Sequence, residues 1–212
     1  MAISPVTIPI HQLQFAPGSA VRIDEISWPA FEQLLQDLGE KRAARVAYFN
    51  PVLELMVPLP EHEVPRDLIS DLVKVLLRVT QQRYQPFGST TFRKEGVAGI
   101  EPDACFYIKH AEQMIGRRRL EPSDPPPDLA IEADVTSKTA LSAYQALGVP
   151  ELWIYSQSKL KIYSLEGDRY CQVSASPIFP GFDVAQLVPE TIERAWKIGS
   201  DQAVEEFRAK VN

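Results

Sequence analysis

The segment PPDLAIEADV, residues 126–135, limits what this chain can fold into more than any other stretch. Pro125, Pro126 and Pro127 lead into it. Proline fixes φ and has no amide proton, so the lead is extended and rigid. Side chains alternate across a strand. Residues 128–135 therefore read as a short strand with Leu129, Ile131, Ala133 and Val135 on an apolar face and Asp128, Ala130, Glu132 and Asp134 on the other. A half-solvated surface strand has the same alternation. A short, apolar, proline-framed segment also suits an interior strand of a mixed sheet. There, carboxylates are costly unless they are paired or hold a cation.

A second acidic segment precedes it. In IEPDACFYI, alternation sets Glu101, Asp103, Cys105 and Tyr107 on one face and Pro102, Ala104, Phe106 and Ile108 on the other. Hard divalent ions such as Mg²⁺ take carboxylate and water oxygens. One carboxylate from each of two neighbouring strands is enough to fix such an ion, which lowers the pKa of water and stabilises charge on a phosphoryl group.

Around these segments the pattern predicts an α/β or α+β layered domain. Residues 1–24 carry little pattern and read as an extended arm; the domain proper is placed at 25–212. Residues 25–38 predict a helix, with Ser27 as N-cap, Pro29 in the first turn and Gly39 as the stop. ARVAYFN and PVLELMV flank Asn50–Pro51 as a hairpin. Leu68, Ile69, Leu72, Val73, Leu76 and Val79 form the buried stripe of a helix over roughly 62–82. Residues 84–108 read as two strands with a turn near Gly96–Gly99, and 139–147 as a helix closed by Gly148. LWIYS, LKIYSL and YCQVSASPIF read as strands, the last pair turned by Gly167–Asp168. The stretch from Pro189 to Asn212 reads as a C-terminal helix with a break near Gly199. Tyr144 and Trp153 keep core spacing and read as packing residues, while Thr136 and Ser137 read as helix caps.

With 22 basic and 28 acidic residues the formal net charge is −6, which counts against a protein that coats nucleic acid non-specifically. It leaves room for an enzyme with a basic rim around an acidic metal site. Basic residues cluster at Lys41–Arg42–Arg45, Arg93–Lys94 and Arg117–Arg118–Arg119, each of which reads first as solvated surface. No apolar run approaches the ~20 residues that span a bilayer, and the first residues lack the pattern of a secretion signal. Cys105 and Cys171 lie far apart, in no metal-ligand spacing, and read as buried or half-buried strand residues. A reduced, cytoplasmic setting is the simpler expectation.

GSTTFRKEGVAGIEPDACFYI, PPDLAIEADVTSKT and AYQALGVPELW together resemble the Uma-two family of proposed restriction endonucleases, a branch of the PD-(D/E)XK nuclease superfamily. The resemblance runs from about residue 25 to the C-terminal helix. It implies a restriction-endonuclease-like core, a mixed central sheet flanked by helices. It places the first metal carboxylate at Asp103 and the second at Glu132. Glu63, at the head of the first core helix, is implied as a further ligand; His62 beside it reads as a surface cap or as a phosphate contact. Glu63 reads equally as an ordinary helix-start acid favoured by the macrodipole.

The superfamily pattern also wants a lysine two residues after the second acid, and here that residue is Asp134. An aspartate adds to the metal-binding charge and does not replace a cation. In many relatives the lysine lies on the following helix, four residues before the tyrosine, where this chain has Ala140. Lys138 and Lys94 are then the nearest catalytic cations, with Arg93 and Lys94 as backbone-phosphate contacts. The resemblance implies a Mg²⁺- or Mn²⁺-dependent DNA endonuclease acting as a homodimer. The alternative is a catalytically impaired relative that serves as a binding or interaction module, which the charge of −6 and the absent lysine favour. A metal-dependent hydrolase of another phosphoester is a third reading.

Overall fold

Why each element forms is visible in its caps and faces. The computed structural model describes residues 9–39, 42, 44–59, 63–88, 90–133 and 137–212. Helix α1 (Trp28–Leu38) starts where Ser27 Oγ accepts from the Ala30 amide and ends at Gly39, whose φ of 70° stops it. The next apolar runs form strands β2 (Arg45–Phe49) and β3 (Val52–Met56), paired antiparallel across Asn50–Pro51. Helix α2 (Glu63–Val79) buries Leu68, Ile69, Leu72, Val73 and Leu76 at helical spacing.

Strand β1 (Ala20–Ile23) adds the end of the N-terminal stretch to the edge beyond β3. The predicted pair of strands over 84–108 is in fact four: β4 (Gln85–Phe87), β5 (Phe92–Lys94), β6 (Ala98–Ile100) and β7 (Ala104–Tyr107). The turn lies at 95–97, and Gly99 sits inside β6 instead. Residues 101–103 are not strand. They carry the chain from one sheet to the other, which single-strand alternation does not anticipate.

Strand β8 (Leu129–Glu132), helix α3 (Lys138–Leu147) and strand β9 (Glu151–Ser156) form a crossover unit. The two strands pair in parallel, a pairing that needs such a connection. Ser137 Oγ caps α3 and Gly148, in the left-handed region at φ 77°, closes it. Strands β10 (Lys159–Glu166) and β11 (Arg169–Val173) extend the sheet by hairpins. The first sheet thus runs β1-β3-β2-β6-β5 and the second β11-β10-β9-β8-β7-β4, with β8–β9 its parallel pair.

The C-terminal helix begins earlier than Pro189. Asp183 caps α4 (Val184–Ile198), Pro189 lies inside it, and Gly199 separates it from α5 (Ser200–Val211). Three cores result. Helix α1 packs on one face of the first sheet through Phe31, Leu35, Val46, Tyr48, Leu53 and Leu55. Helix α3 lies between the sheets, where Ala143 and Tyr144 meet Ile100, Cys105 and Ala130. On the far face of the second sheet, α2, α4 and α5 bury Leu129, Ile131 and Trp153. Strand β8 is therefore covered on both faces, as an interior strand requires. Both cysteines are free, and Cys171 on edge strand β11 is exposed, not half-buried.

Candidate active site

The register of two strands brings the acidic segments together. β7 and β8 pair antiparallel, with Ala104 opposite Ile131 and Cys105 opposite Ala130. One further step sets Asp103 opposite Glu132. Oδ2 of Asp103 accepts from the Ala133 amide at 2.9 Å, next to Glu132 in the chain, and the charge of Asp103 acts on the Glu132 carboxyl. Asp103 stands at the start of β7, where the chain arrives from the first sheet, and Glu132 at the end of β8.

Two further side chains complete the cluster. The Tyr144 hydroxyl, reaching from α3, donates to Oε1 of Glu132. Nη2 of Arg45 lies 3.4 Å from Oδ1 of Asp103, and Nη1 of Arg45 donates to the Pro102 carbonyl at 3.4 Å. β2 places Arg45 there. The strand pairs with β6 through Ala47 opposite Ile100, and the Glu101 amide donates to Val46, so Arg45 runs beside the crossing segment.

Burial holds the Glu132 carboxyl well above the usual carboxylate range, and the charge of Asp103 pushes it the same way. The Tyr144 hydroxyl and the Arg45 charge pull it back. Burial, then the Glu132 charge, raises the Tyr144 phenol well above its ordinary value, so it stays a donor. Two carboxyl groups that repel each other away from water are the donor set a hard cation relieves. Among the described residues no third Asp, Glu, His or Cys joins them in a metal-holding group. Two carboxylates suit an ion such as Mg²⁺, which keeps several waters of its own. The residues present fit the implied metal.

The other sequence-predicted residues lie as follows. Glu63 is in the first turn of α2, and its Oε2 pairs with Arg66 Nη2 at 2.7 Å, not with the carboxyl pair. Lys138 opens α3 with its side chain exposed. Lys94 donates from Nζ to the Ala146 carbonyl at 2.9 Å, at the far end of α3, so it caps that helix end and does not reach the cluster. Arg93 on β5 is exposed and lines an open cleft of about 1530 Å³ with Arg45, Glu63 and Glu101. This cleft reaches Arg45 but not Asp103 or Glu132 themselves. Asp134 and His62 lie outside the described residues.

Two readings change. Glu101 shares no face with Asp103: Arg42 ion-pairs with it, and Thr91 Oγ1 donates to it at 2.5 Å. Arg42 and Arg45 are half-buried ion-pair partners instead of solvated surface. Sequence reasoning missed Arg45, since nothing in one strand's pattern tells which strand of another sheet will flank the crossing at 101–103. It took Tyr144 for packing alone. The signal was its place on the helix after Glu132, where a long polar side chain turns back to the strand.

The fold resembles a solved structure. "Crystal structure of a putative nuclease belonging to DUF820 from Anabaena variabilis ATCC 29413" matches at a TM-score of 0.50 and 16% identity, over 84% of this chain and 99% of that one. Among curated proteins no sequence match is found. The sequence profile of the Uma2 family, described as "Putative restriction endonuclease", matches residues 28–197. That span takes in α1, both sheets' central strands, Asp103, Glu132 and most of α4, and the chain belongs to the Uma2 family.

Proposed function

We propose that this protein is a divalent-metal-dependent endonuclease that hydrolyses phosphodiester bonds of DNA, with Asp103 and Glu132 as its metal ligands. The observation that carries the reading is that, one step beyond the β7–β8 register, Asp103 accepts from the Ala133 amide at 2.9 Å, so that its charge acts on the neighbouring Glu132 carboxyl. Mg²⁺ or Mn²⁺ held there would supply Lewis acidity at the phosphoryl group and activate water. The chain's own residues do the rest. Asp103 is oriented by the Ala133 amide and Arg45, and Glu132 by Tyr144. Arg93 is an exposed phosphate contact on the cleft wall. Glu63, Asp134, Lys138 and His62 remain candidates for supporting roles. A homodimer in a cytoplasmic setting belongs to the same proposal; among the described residues no helix is long and apolar enough to cross a membrane.

Plasmid nicking with Mg²⁺ or Mn²⁺ tests it, comparing wild type with Asp103→Ala and Glu132→Ala. Wild type is expected to nick, and each variant to lose the activity. Equal activity in all three rejects the reading. A second reading, a catalytically impaired module, is favoured by one observation: among the described residues no lysine pairs with Asp103 or Glu132. Calorimetry separates the two, since the impaired module is expected to bind neither Mn²⁺ nor DNA.

A further inference from the structure

We propose that the DNA strand to be cut reaches the carboxyl pair from the α2 side, with Arg66 and Lys74 as the contacts to its phosphates. The inference rests on the nuclease reading above and deepens it. It names the surface that takes the substrate, and it makes that substrate a polymer strand instead of a small phosphoester.

Three observations carry it. First, Asp103 opens on a second, smaller cleft of about 260 Å³, which α2 forms with the ends of β4 and β7 through Arg66, Ser70, Lys74, Gly88 and Ala104. The larger cleft stops at Arg45, whose guanidinium stands against Oδ1 of Asp103. A phosphate thus meets Asp103 from the smaller cleft. A Cβ on Gly88 would touch nothing within 4 Å, so that rim leaves room for a strand to pass.

Second, Arg66, Ser70 and Lys74 are spaced four apart and form one row along α2. From Arg66 to Lys74 the helix rises about 12 Å. That equals the rise of roughly three to four nucleotides of one strand, at about 3.4 Å each. The two cations can therefore hold different phosphates of one strand, with the Ser70 hydroxyl between them as a further donor.

Third, both cations are held by pairs that exchange readily. Arg66 pairs with Glu63 at 2.7 Å and with Asp67 at 2.9 Å, and Lys74 pairs with Asp71 at 2.9 Å. All three acids lie on α2 itself, with side chains 45%, 72% and 55% exposed. Pairs so open to water contribute little. A phosphate takes a guanidinium through two charge-assisted hydrogen bonds and displaces them. Asp67 lines the same cleft, so two placed cations, and no general basic field, draw the backbone in.

The test compares wild type, Arg66→Gln, Lys74→Gln, the double variant and Arg66→Lys, with Arg93→Gln as the marker of the larger cleft. Affinity for a fluorescein-labelled DNA duplex is read by anisotropy without metal, across a salt series. Nicking in Mn²⁺ gives KM and kcat, and it decides alone if binding without metal is too weak to titrate. Calorimetry gives Mn²⁺ affinity, with Asp103→Ala as the reference for its loss. Each Gln variant is expected to weaken DNA binding about fivefold and to reduce the slope of log Kd against log salt by about 1. The double variant should lose about 2 from the slope, and its loss should fall on KM more than on kcat. Arg66→Lys keeps the charge and should keep the slope. Mn²⁺ should bind all of these variants at least as tightly as wild type, because nearby positive charge is kept or removed. A merely structural role for Arg66 or Lys74 would not move the salt slope.

A double variant with wild-type DNA affinity, salt slope and KM would overturn the proposal. So would a loss confined to Arg93→Gln, which would seat the strand in the larger cleft. Loss of Mn²⁺ binding as complete as in Asp103→Ala would also overturn it, since α2 would then only prop up the ligands. All three results leave the nuclease reading standing. A wild type that binds Mn²⁺ but nicks no DNA overturns that reading, and this proposal with it.

Discussion

The Tyr144 hydroxyl on α3 donates to Glu132 at the end of β8, so the helix that connects β8 to β9 also holds the acid it has just left. This is a consequence of the crossover. A parallel pair needs a connection that returns over the sheet, and α3 returns on the face where Glu132 points. The ring of Tyr144 fills core between the sheets while its hydroxyl faces a buried carboxyl. One residue thereby ties packing to the candidate metal site.

Tyr144→Phe is therefore expected to affect both. The ring's packing stays, but a buried acceptor loses its donor, at a cost of about 1–3 kcal/mol. Urea unfolding of the metal-free protein measures this. Because the hydroxyl lowers the proton affinity of Glu132, its loss should weaken Mn²⁺ binding near neutral pH, and higher pH should restore it. Unchanged Mn²⁺ affinity at every pH would remove Tyr144 from the site.

Glu132 gives a pH signature with a definite sign. Burial holds its carboxyl in the folded protein well above its ordinary value, so the native state binds a proton that the unfolded chain has released. Its contribution to metal-free stability is present in full below that ordinary value. It is lost as pH rises through the raised one. Glu132→Gln, which stays neutral, should remove this dependence. The stability difference between variant and wild type should grow in the variant's favour from about pH 5 to about pH 8. Saturating Mn²⁺ should reverse the trend in wild type, since metal takes the ionised form. Urea unfolding of both proteins at the two pH values, with and without Mn²⁺, makes the comparison. Parallel profiles without metal would mean that Glu132 is ionised in the native state.

How far the sequence carried this account differs from element to element. The helices with caps and stripes, α1, α2 and α3, were legible because their signals are local: Ser27 and Gly39, the Leu68–Leu76 spacing, Ser137 and Gly148. The two carboxylates were legible as chemistry through alternation and family resemblance. Their meeting was expected from the resemblance, but the register that achieves it was not, since register is a property of two strands. The crossing at 101–103 was hidden for a similar reason. Glu101 keeps the parity of Asp103 in sequence but lies in the passage between sheets, where Arg42 claims it. Asp183 was passed over as a cap because Pro189 is itself a good helix-start residue, and the structure tolerates it inside α4.

Gly99 shows the same limit at a single position. It was read as part of a turn, yet it lies in β6 under the ring of Phe31. A Cβ there would fall 2.5 Å from Phe31 Cζ. The ring cannot swing freely, because it is fully buried and stacked on Tyr48 with centroids 4.5 Å apart. Gly99→Ala should thus overpack the core beneath α1 and cost about 1–3 kcal/mol in urea unfolding. Adding Phe31→Leu should recover part of the loss by making room. A Gly99→Ala protein as stable as wild type would show that α1 is free to move off the sheet.

Glu151 offers a contrast to Glu132, since it is a buried acid whose partners are all donors. Its Oε1 accepts from Trp153 Nε1 at 2.5 Å and from Ser176 Oγ at 2.6 Å, and its Oε2 accepts from the Ile178 amide at 3.0 Å. The Phe179 amide in turn donates to Ser176 Oγ at 3.0 Å, so one carboxylate fixes the loop that seats Phe179 against Trp153. Glu151→Ala leaves these donors buried without an acceptor and should cost about 3 kcal/mol or more. Glu151→Gln keeps one acceptor oxygen but turns an amide NH₂ toward a donor, so about half that loss is expected. Neither change touches the β7–β8 register. Mn²⁺ stoichiometry per folded molecule should therefore stay at the wild-type value, read by calorimetry at a temperature where each variant is folded. A Glu151→Gln protein that unfolds at the wild-type urea midpoint would mean the 176–179 loop is held by packing instead. Loss of Mn²⁺ binding by a folded Glu151 variant would mean that this end of β9 is coupled to the Asp103–Glu132 pair.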